Sequence, residues 1–257
     1  LEQVGGGGKR RMKLLSFSLY GKKLIYLLGA IEILKEQPKV YPGWCCRFYV
    51  AEDVVSGVIE ELSAGGAEVI IMRPEPGAAG MFWRYLPADE ENLEACLMLD
   101  VDSPLLERQK CATDEWLNSG QLYHVIRDHR YHDKKIMGGL FGMKWPSPIK
   151  LNIRQEVEDF ILRRPNKVVK RGNDQMFLAN RIYPRIKEHT LFHVDPGFSV
   201  FPGEITRPLP GPKRTESLFV GCYRPKNSWK FWWALAVISI KHFQVKKCSL
   251  FFYKFFR

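Results

Sequence analysis

Short, almost unbroken apolar runs alternate along the chain with longer stretches whose apolar positions recur every three or four residues. Residues 12–21, MKLLSFSLYG, and 43–50, GWCCRFYV, are runs of the first kind. They predict buried strands, the first closed by a glycine turn. Between them, residues 22–36 carry apolar positions at helical spacing, and Pro38 is expected to stop that helix. Residues 51–66 read as a helix with acids in its first turn and a double glycine past its end, and 67–73 as a third strand. A fourth strand falls within 94–103, EACLMLDVDS, with a helix over 104–120. Strands are predicted over 121–129 and 135–145, helices over 152–164 and 174–187, and a short last strand over 189–195. Residues 196–214, rich in Pro and Gly, are expected to wrap the core as a loop. This alternation predicts an α/β fold, a mostly parallel central sheet flanked by helices in a single domain.

Charge at first suggests a different story. The net charge of +11 over 257 residues would suit a nucleic-acid binder if it were spread over one face. It is not. Residues 1–13 contribute +3 and residues 221–257 contribute +8, so the body between them is electroneutral. The chain therefore divides into a flexible glycine-rich leader over 1–11, a globular body over 12–220, and a basic aromatic tail over 221–257. No nucleic-acid partner is expected. The longest apolar run, FWWALAVISI at 231–240, is too short to span a bilayer. A peripheral membrane contact through the tail, a packed helix and a non-native extension remain open for it. The six cysteines show no metal-type spacing, and reduced, structural thiols in a cytoplasmic protein, membrane-associated or not, are expected.

The chemistry begins at EACLMLDVDS. On a strand, residues two apart face the same way, so Asp100 and Asp102 can point to one side. Ligands of open α/β sheets sit beyond the carboxyl ends of the strands. Two carboxylates there suit a hard divalent cation whose shell is completed by a ligand's phosphates. Taken singly, such acids also serve as helix N-caps. Nearby blocks add candidates: Arg84 in GMFWRYLPA as a phosphate clamp, Asp174 and Gln175 in RGNDQMFL, and His193 with Asp195 in LFHVD.

The blocks GMFWRYLPA, LDVDSP, DEWLNSG, RDHRYH, GGLFG, GNDQMFL and FHVD, taken together over about residues 12–221, resemble nucleotide-sugar-dependent glycosyltransferases of the GT-A (Rossmann-like) architecture, and within them a bacterial and viral set. The resemblance implies a GT-A-like catalytic domain over 12–220. It implies transfer of a sugar from a nucleoside diphosphate sugar to a hydroxyl of a glycan or glycoconjugate acceptor, in glycan biosynthesis. Asp100 and Asp102 match the DxD motif and would hold Mn²⁺ or Mg²⁺, with His193 as third ligand and Asp195 as its rival. Ser16, Ser18, Tyr20, Gly21 and Tyr26 match the region that cradles base and ribose, beside Arg84. Asp174 and Gln175 match the pair beside the donor sugar, as base toward the acceptor hydroxyl or as holders of the donor. His132 and Gly139 are the candidates on the acceptor side.

Two departures stand out. The arginines that flank the family's DxD are here Leu99 and Pro104, which leaves Arg84 as the diphosphate's expected cation. The tail lies outside the resemblance. A second class of enzyme also carries an apolar strand ending in DxD: the haloacid-dehalogenase phosphatases, with Asp100 as nucleophile and Asp102 as acid/base. Their motif sits on the first strand, and here three strands precede it. A third reading is a catalytically degenerate transferase domain that only binds.

Overall fold

In the computed structural model, which describes residues 11–73, 77–164 and 168–224, the predicted strands assemble into one sheet. In chain order the elements are β1 (Met12–Leu19), α1 (Leu24–Val40), β2 (Cys45–Ala51), α2 (Ser56–Ala64), β3 (Glu68–Met72), a 3₁₀ segment (Ala79–Asp89), β4 (Leu93–Leu99), α3 (Glu107–Leu117), β5 (Tyr123–Arg127), β6 (Leu140–Lys144), α4 (Ile153–Leu162), α5 (Asn173–Phe177), a π turn (Leu178–Ile182), α6 (Tyr183–Ile186), β7 (Thr190–Val194) and β8 (Ile205–Arg207). The eight strands run in the order β3-β2-β1-β4-β6-β5-β7-β8. All neighbours are parallel except β6, which is antiparallel to both β4 and β5. This is the single-domain, mostly parallel α/β architecture that the alternation of elements predicts.

The order places a topological switch point between β1 and β4. From β1 the chain steps outward to β2 and β3, then returns to lay β4 on the other side of β1. Connections leave these two neighbours in opposite directions, which opens a crevice at their carboxyl ends. Phe17 pairs with Leu99, so the residues after β1 and those after β4 emerge together at that edge.

Strand parity sorts the core into two layers. Leu14, Cys96 and Met98 join Phe82, Phe141, Phe177 and Phe192 on one face. Leu15, Phe17, Leu97 and Leu99 join Trp44, Phe48, Val58 and Trp116 on the other. Both faces of β1 and β4 are thus covered, as their unbroken apolar runs require.

Several boundaries differ from expectation. Helix α1 does not stop before Pro38 but runs to Val40. Proline in a last turn forfeits one backbone bond. Here the Tyr41 N–H donates to the Gln37 carbonyl, and the Gln37 side-chain amide donates to the carbonyls of Tyr41 and Trp44. Helix α2 starts at Ser56, not at residue 51. The strand expected over 135–145 is confined to Leu140–Lys144, because the Gly138–Gly139 segment turns beneath the site. The last predicted helix breaks into α5, the π turn and α6, where Pro184, which has no N–H to give, interrupts the ladder. The loop over 196–214 holds one more edge strand, β8.

The five cysteines in the described residues are free; Cys46, Cys96 and Cys222 are buried, whereas Cys111 is only partly so. Among the described residues no helix is long and apolar enough to cross a membrane. Most of the leader and the apolar part of the tail lie outside the described residues. The body does reach past 220: Arg224 donates to the carbonyls of Asp102 and Ser103 and pairs with Glu36 of α1.

Helix α1 approaches the Asp-Val-Asp turn at Gly29, where an added Cβ would stand 2.1 Å from the Val101 carbonyl oxygen. Gly29→Ala is expected to lower stability by about 1–3 kcal/mol through overpacking, read as a reduced urea midpoint. Gly120→Ala, with nothing within 4 Å of the new methyl, should leave the midpoint in place.

Candidate active site

Because Asp100 follows Met98 at the same parity, its side chain emerges on the face that carries the 3₁₀ segment and α5. There it meets Arg84. Arg84 is 5% exposed, and its guanidinium bonds Asp100 Oδ1 through Nη1, and through Nη2 bonds Asp174 Oδ2 at 2.7 Å and the Tyr85 hydroxyl at 3.2 Å. The Tyr85 hydroxyl in turn donates to the Gly138 carbonyl at 2.8 Å and lies 3.4 Å from Asp174 Oδ2. Burial works against the guanidinium's charge, but Asp100, Tyr85 and Asp174 more than offset it and hold it protonated. Arg84 is therefore not the free phosphate clamp expected from the sequence. Two carboxylates already occupy its forked end.

The expected acceptor residue Gly139 belongs to the same cluster. An added Cβ at Gly139 would stand 2.2 Å from Asp100 Oδ2, and one at Gly138 would stand 2.1 Å from Asp174 Oδ2 and 2.7 Å from Arg84 Nη2. The glycine pair lets backbone pass directly under the ion cluster.

Ser16 and Ser18 are corrected as well. Both are buried on β1, on the same face as Asp100. Ser16 Oγ donates to the Arg84 carbonyl at 2.9 Å, and Ser18 Oγ accepts from the Arg84 N–H at 2.9 Å. They fix the backbone of Arg84 rather than reach a ligand. Tyr20 and Gly21, by contrast, line an open cleft of about 170 Å³ together with Asp53, Gly77 and Trp83. Asp53 follows β2 at the same edge of the sheet, and sequence reading overlooked it.

Asp102 has a different character from Asp100. It is 8% exposed and has no side-chain partner among the described residues. Burial first, and the Asp100 charge second, push its carboxyl up to about 6. Tyr26 lies near it: burial, then the Asp102 charge, raise the Tyr26 hydroxyl above its usual range. Arg171, which sequence reading also missed, bonds the exposed Tyr223 hydroxyl at this rim and feels both Tyr26 and Asp102. Gln175 is half-buried, next to Asp174.

The two histidine assignments do not hold. His193 is fully buried on β7, with His124 Nε2 2.8 Å from its Nδ1 and Glu115 3.4 Å from its Nε2. Trp116 stacks on His124. Its rival Asp195 is gripped by Arg108 at 2.6 Å through both oxygens. His132 is buried with Asp128, His129 and Phe219, and touches none of the ion cluster.

The donor set for a divalent cation is then two carboxylates, Asp102 and the Asp100 oxygen that Arg84 leaves free. Among the described residues, no three His, Cys, Asp or Glu gather as a metal centre. Two hard oxygens without imidazole or thiolate fit Mg²⁺ or Mn²⁺ completed by a ligand's own oxygens, and do not fit a closed structural site.

Removing the cation between buried acids is costly. Arg84→Gln is expected to lower stability by about 3 kcal/mol, the low end for a broken buried pair because Asp100 is still partly wet; urea unfolding checks it, and adding Asp174→Asn should recover part of the loss. The histidine pair predicts a pH effect. Burial, then His193, holds the His124 imidazole well below its usual range. The unfolded chain therefore takes up that proton first, and the associated stability, present above about pH 6.5, is lost as the pH falls. Urea midpoints between pH 7.5 and 5.5 should fall less steeply in His124→Phe than in the wild type.

No family model matches the chain, and no curated protein matches it. Solved structures do resemble it in shape. A glycosyltransferase involved in the glycosylation of the major capsid of PBCV-1 shares 18% identity at a TM-score of 0.41, over 72% of this chain and 82% of that one. The 4-diphosphocytidyl-2C-methyl-D-erythritol synthase of Anaerococcus prevotii shares 9% at 0.42, over 71% and 87%. Glucosyl-3-phosphoglycerate synthase of Mycobacterium tuberculosis, solved with Mn²⁺, uridine diphosphate and glucosyl-3-phosphoglycerate, shares 10% at 0.37, over 62% and 69%. Glycosyltransferases and nucleotidyltransferases of the GT-A type thus stand among its structural neighbours, and at such identities the likeness assigns no residue a role.

Proposed function

We propose that this protein is a metal-dependent glycosyltransferase that moves a sugar from a nucleoside diphosphate sugar to a hydroxyl of a glycan or glycoconjugate. One observation carries the reading. At the switch point, a buried carboxylate without a side-chain partner, Asp102, stands beside a second one, Asp100, that Arg84 holds in place. A backbone hydrogen bond and the Arg84 and Arg171 charges offset only part of the burial and of the Asp100 repulsion, and a cation between the two acids would offset the rest. Mn²⁺ or Mg²⁺ held by Asp100 and Asp102 would stabilise the charge that develops on the departing diphosphate.

The chain's own groups supply the rest. Arg171, exposed and within electrostatic reach of Asp102, takes the role of diphosphate cation that Arg84 cannot fill. Nucleoside fits the cleft lined by Tyr20, Gly21, Asp53 and Trp83, with the Asp53 carboxylate as acceptor for ribose hydroxyls. Asp174 keeps one oxygen on Arg84 and the other without a partner. That second oxygen serves to hold a sugar hydroxyl or receive its proton, with Gln175 alongside. Gly138 and Gly139 keep the floor of the site free of side chains.

Thermal unfolding with UDP or GDP, each with and without Mn²⁺, tests the reading. Nucleotide should raise the melting temperature only when metal is present. The increment should vanish in Asp102→Asn, and release of nucleotide from a panel of sugar donors should drop roughly a hundredfold. Arg171→Gln should weaken nucleotide binding about tenfold. Equal stabilisation without metal, or an unchanged response in Asp102→Asn, would overturn the proposal.

A further inference from the structure

A second polar site lies where α4 meets the π turn. Phe160, Arg163, Arg164, Asn180 and Arg181 line a pocket of about 280 Å³ there. Its guanidiniums have few charged partners of their own. Arg108, Arg127, Arg185 and Arg224 each bond carboxylates and backbone carbonyls. Arg164 instead lies over the Phe160 ring, 4.2 Å from its centroid, and its Nη2 donates to the Met176 sulfur at 2.9 Å. Neither Arg163 nor Arg164 pairs with a carboxylate among the described residues. Residues 165–167, Pro-Asn-Lys, contain no acid. Arg181 reaches Glu156 at 3.7 Å, but that carboxylate is shared with Arg185 at 3.2 Å.

The dipole of α4 favours cations at its carboxyl end and so accounts for Arg163 and Arg164 being there. It does not account for Arg181 converging on them from a different element, around an open pocket with an aromatic wall. Three planar forks around one space suit the oxygens of a phosphate group. The electroneutral body argues for one small dianion rather than a nucleic-acid stripe. A pocket of this size takes the charged end of a larger molecule. Met176, which Arg164 touches, sits two residues along α5 from the buried Asp174 and is itself exposed, so the pocket lies on the other side of that helix from the ion cluster.

We propose that Arg163, Arg164 and Arg181 form a binding site for the phosphomonoester group of a small molecule, separate from the ion cluster around Arg84.

Calorimetric titration of the full chain in metal-free buffer at fixed ionic strength tests it, with inorganic phosphate, glucose 6-phosphate and glucose as probes. Both phosphates should bind one saturable site, and glucose should not. Arg164→Gln and Arg181→Gln should each weaken phosphate binding about tenfold, while Asp102→Asn should leave it unchanged. No saturable heat up to about 10 mM, or binding that both arginine variants retain, overturns the proposal. The two readings fail separately. Loss of the metal-dependent nucleotide response with phosphate binding intact removes the transferase and leaves the anion site. The reverse pattern removes the anion site alone.

Discussion

A guanidinium buried beneath the carboxyl edge of the sheet organises this protein. Arg84 cannot stand in a dry interior unpaired, and its partners come from elements far apart in the chain: Asp100 after β4, Asp174 in the first turn of α5, and the adjacent Tyr85. Each partner is in turn constrained. Ser16 and Ser18 on β1 hold the Arg84 backbone, and the Gly138–Gly139 pair makes room for the two acids. Breaking any one of these contacts would leave a charge or a dipole without compensation. The site's geometry is therefore imposed from below by a structural ion cluster, and chemistry is left to the groups that the cluster does not use.

Those groups are few. Around the cluster, Asp102 and the second oxygens of Asp100 and Asp174 have no side-chain partner among the described residues. The turn that carries Asp100 and Asp102 is itself clamped. Gly29 of α1 presses on the Val101 carbonyl, Glu36 accepts from the Leu105 N–H, and Arg224 links Glu36 to the Asp102 and Ser103 carbonyls. For the cation proposed to bind this carboxylate pair, such preorganisation would leave little ordering for the moment of binding. The residues just past 220 thus belong to the body, although the resemblance in sequence stops there.

Much of the fold was legible because buried parallel strands leave unbroken apolar runs. β1, β2 and β4 are such runs, and the helices between them carry the complementary spacing. The failures share a cause: each depends on a contact that no local pattern encodes. Pro38 is accommodated inside α1 because Gln37 caps the helix end with its side chain. The exposed β8 has almost no apolar signature, and its place is set by pairing with β7. GMFWRYLPA looks like a ligand-binding block because it combines an arginine with aromatics, yet most of it is core.

From sequence alone came the α/β class, the sheet of parallel strands, and the position of Asp100 and Asp102 at a strand end, because strand periodicity and burial are local properties of the chain. The roles of charged and polar side chains were decided only in three dimensions. An arginine, a serine or a histidine reads the same whether it faces a ligand or a buried partner. Arg84, Ser16, Ser18, His132 and His193 all turned out to face protein, and Arg171, a plain surface cation in sequence, turned out to bond Tyr223 within electrostatic reach of Asp102. Which of two identical groups remains free depends on what folding brings against it.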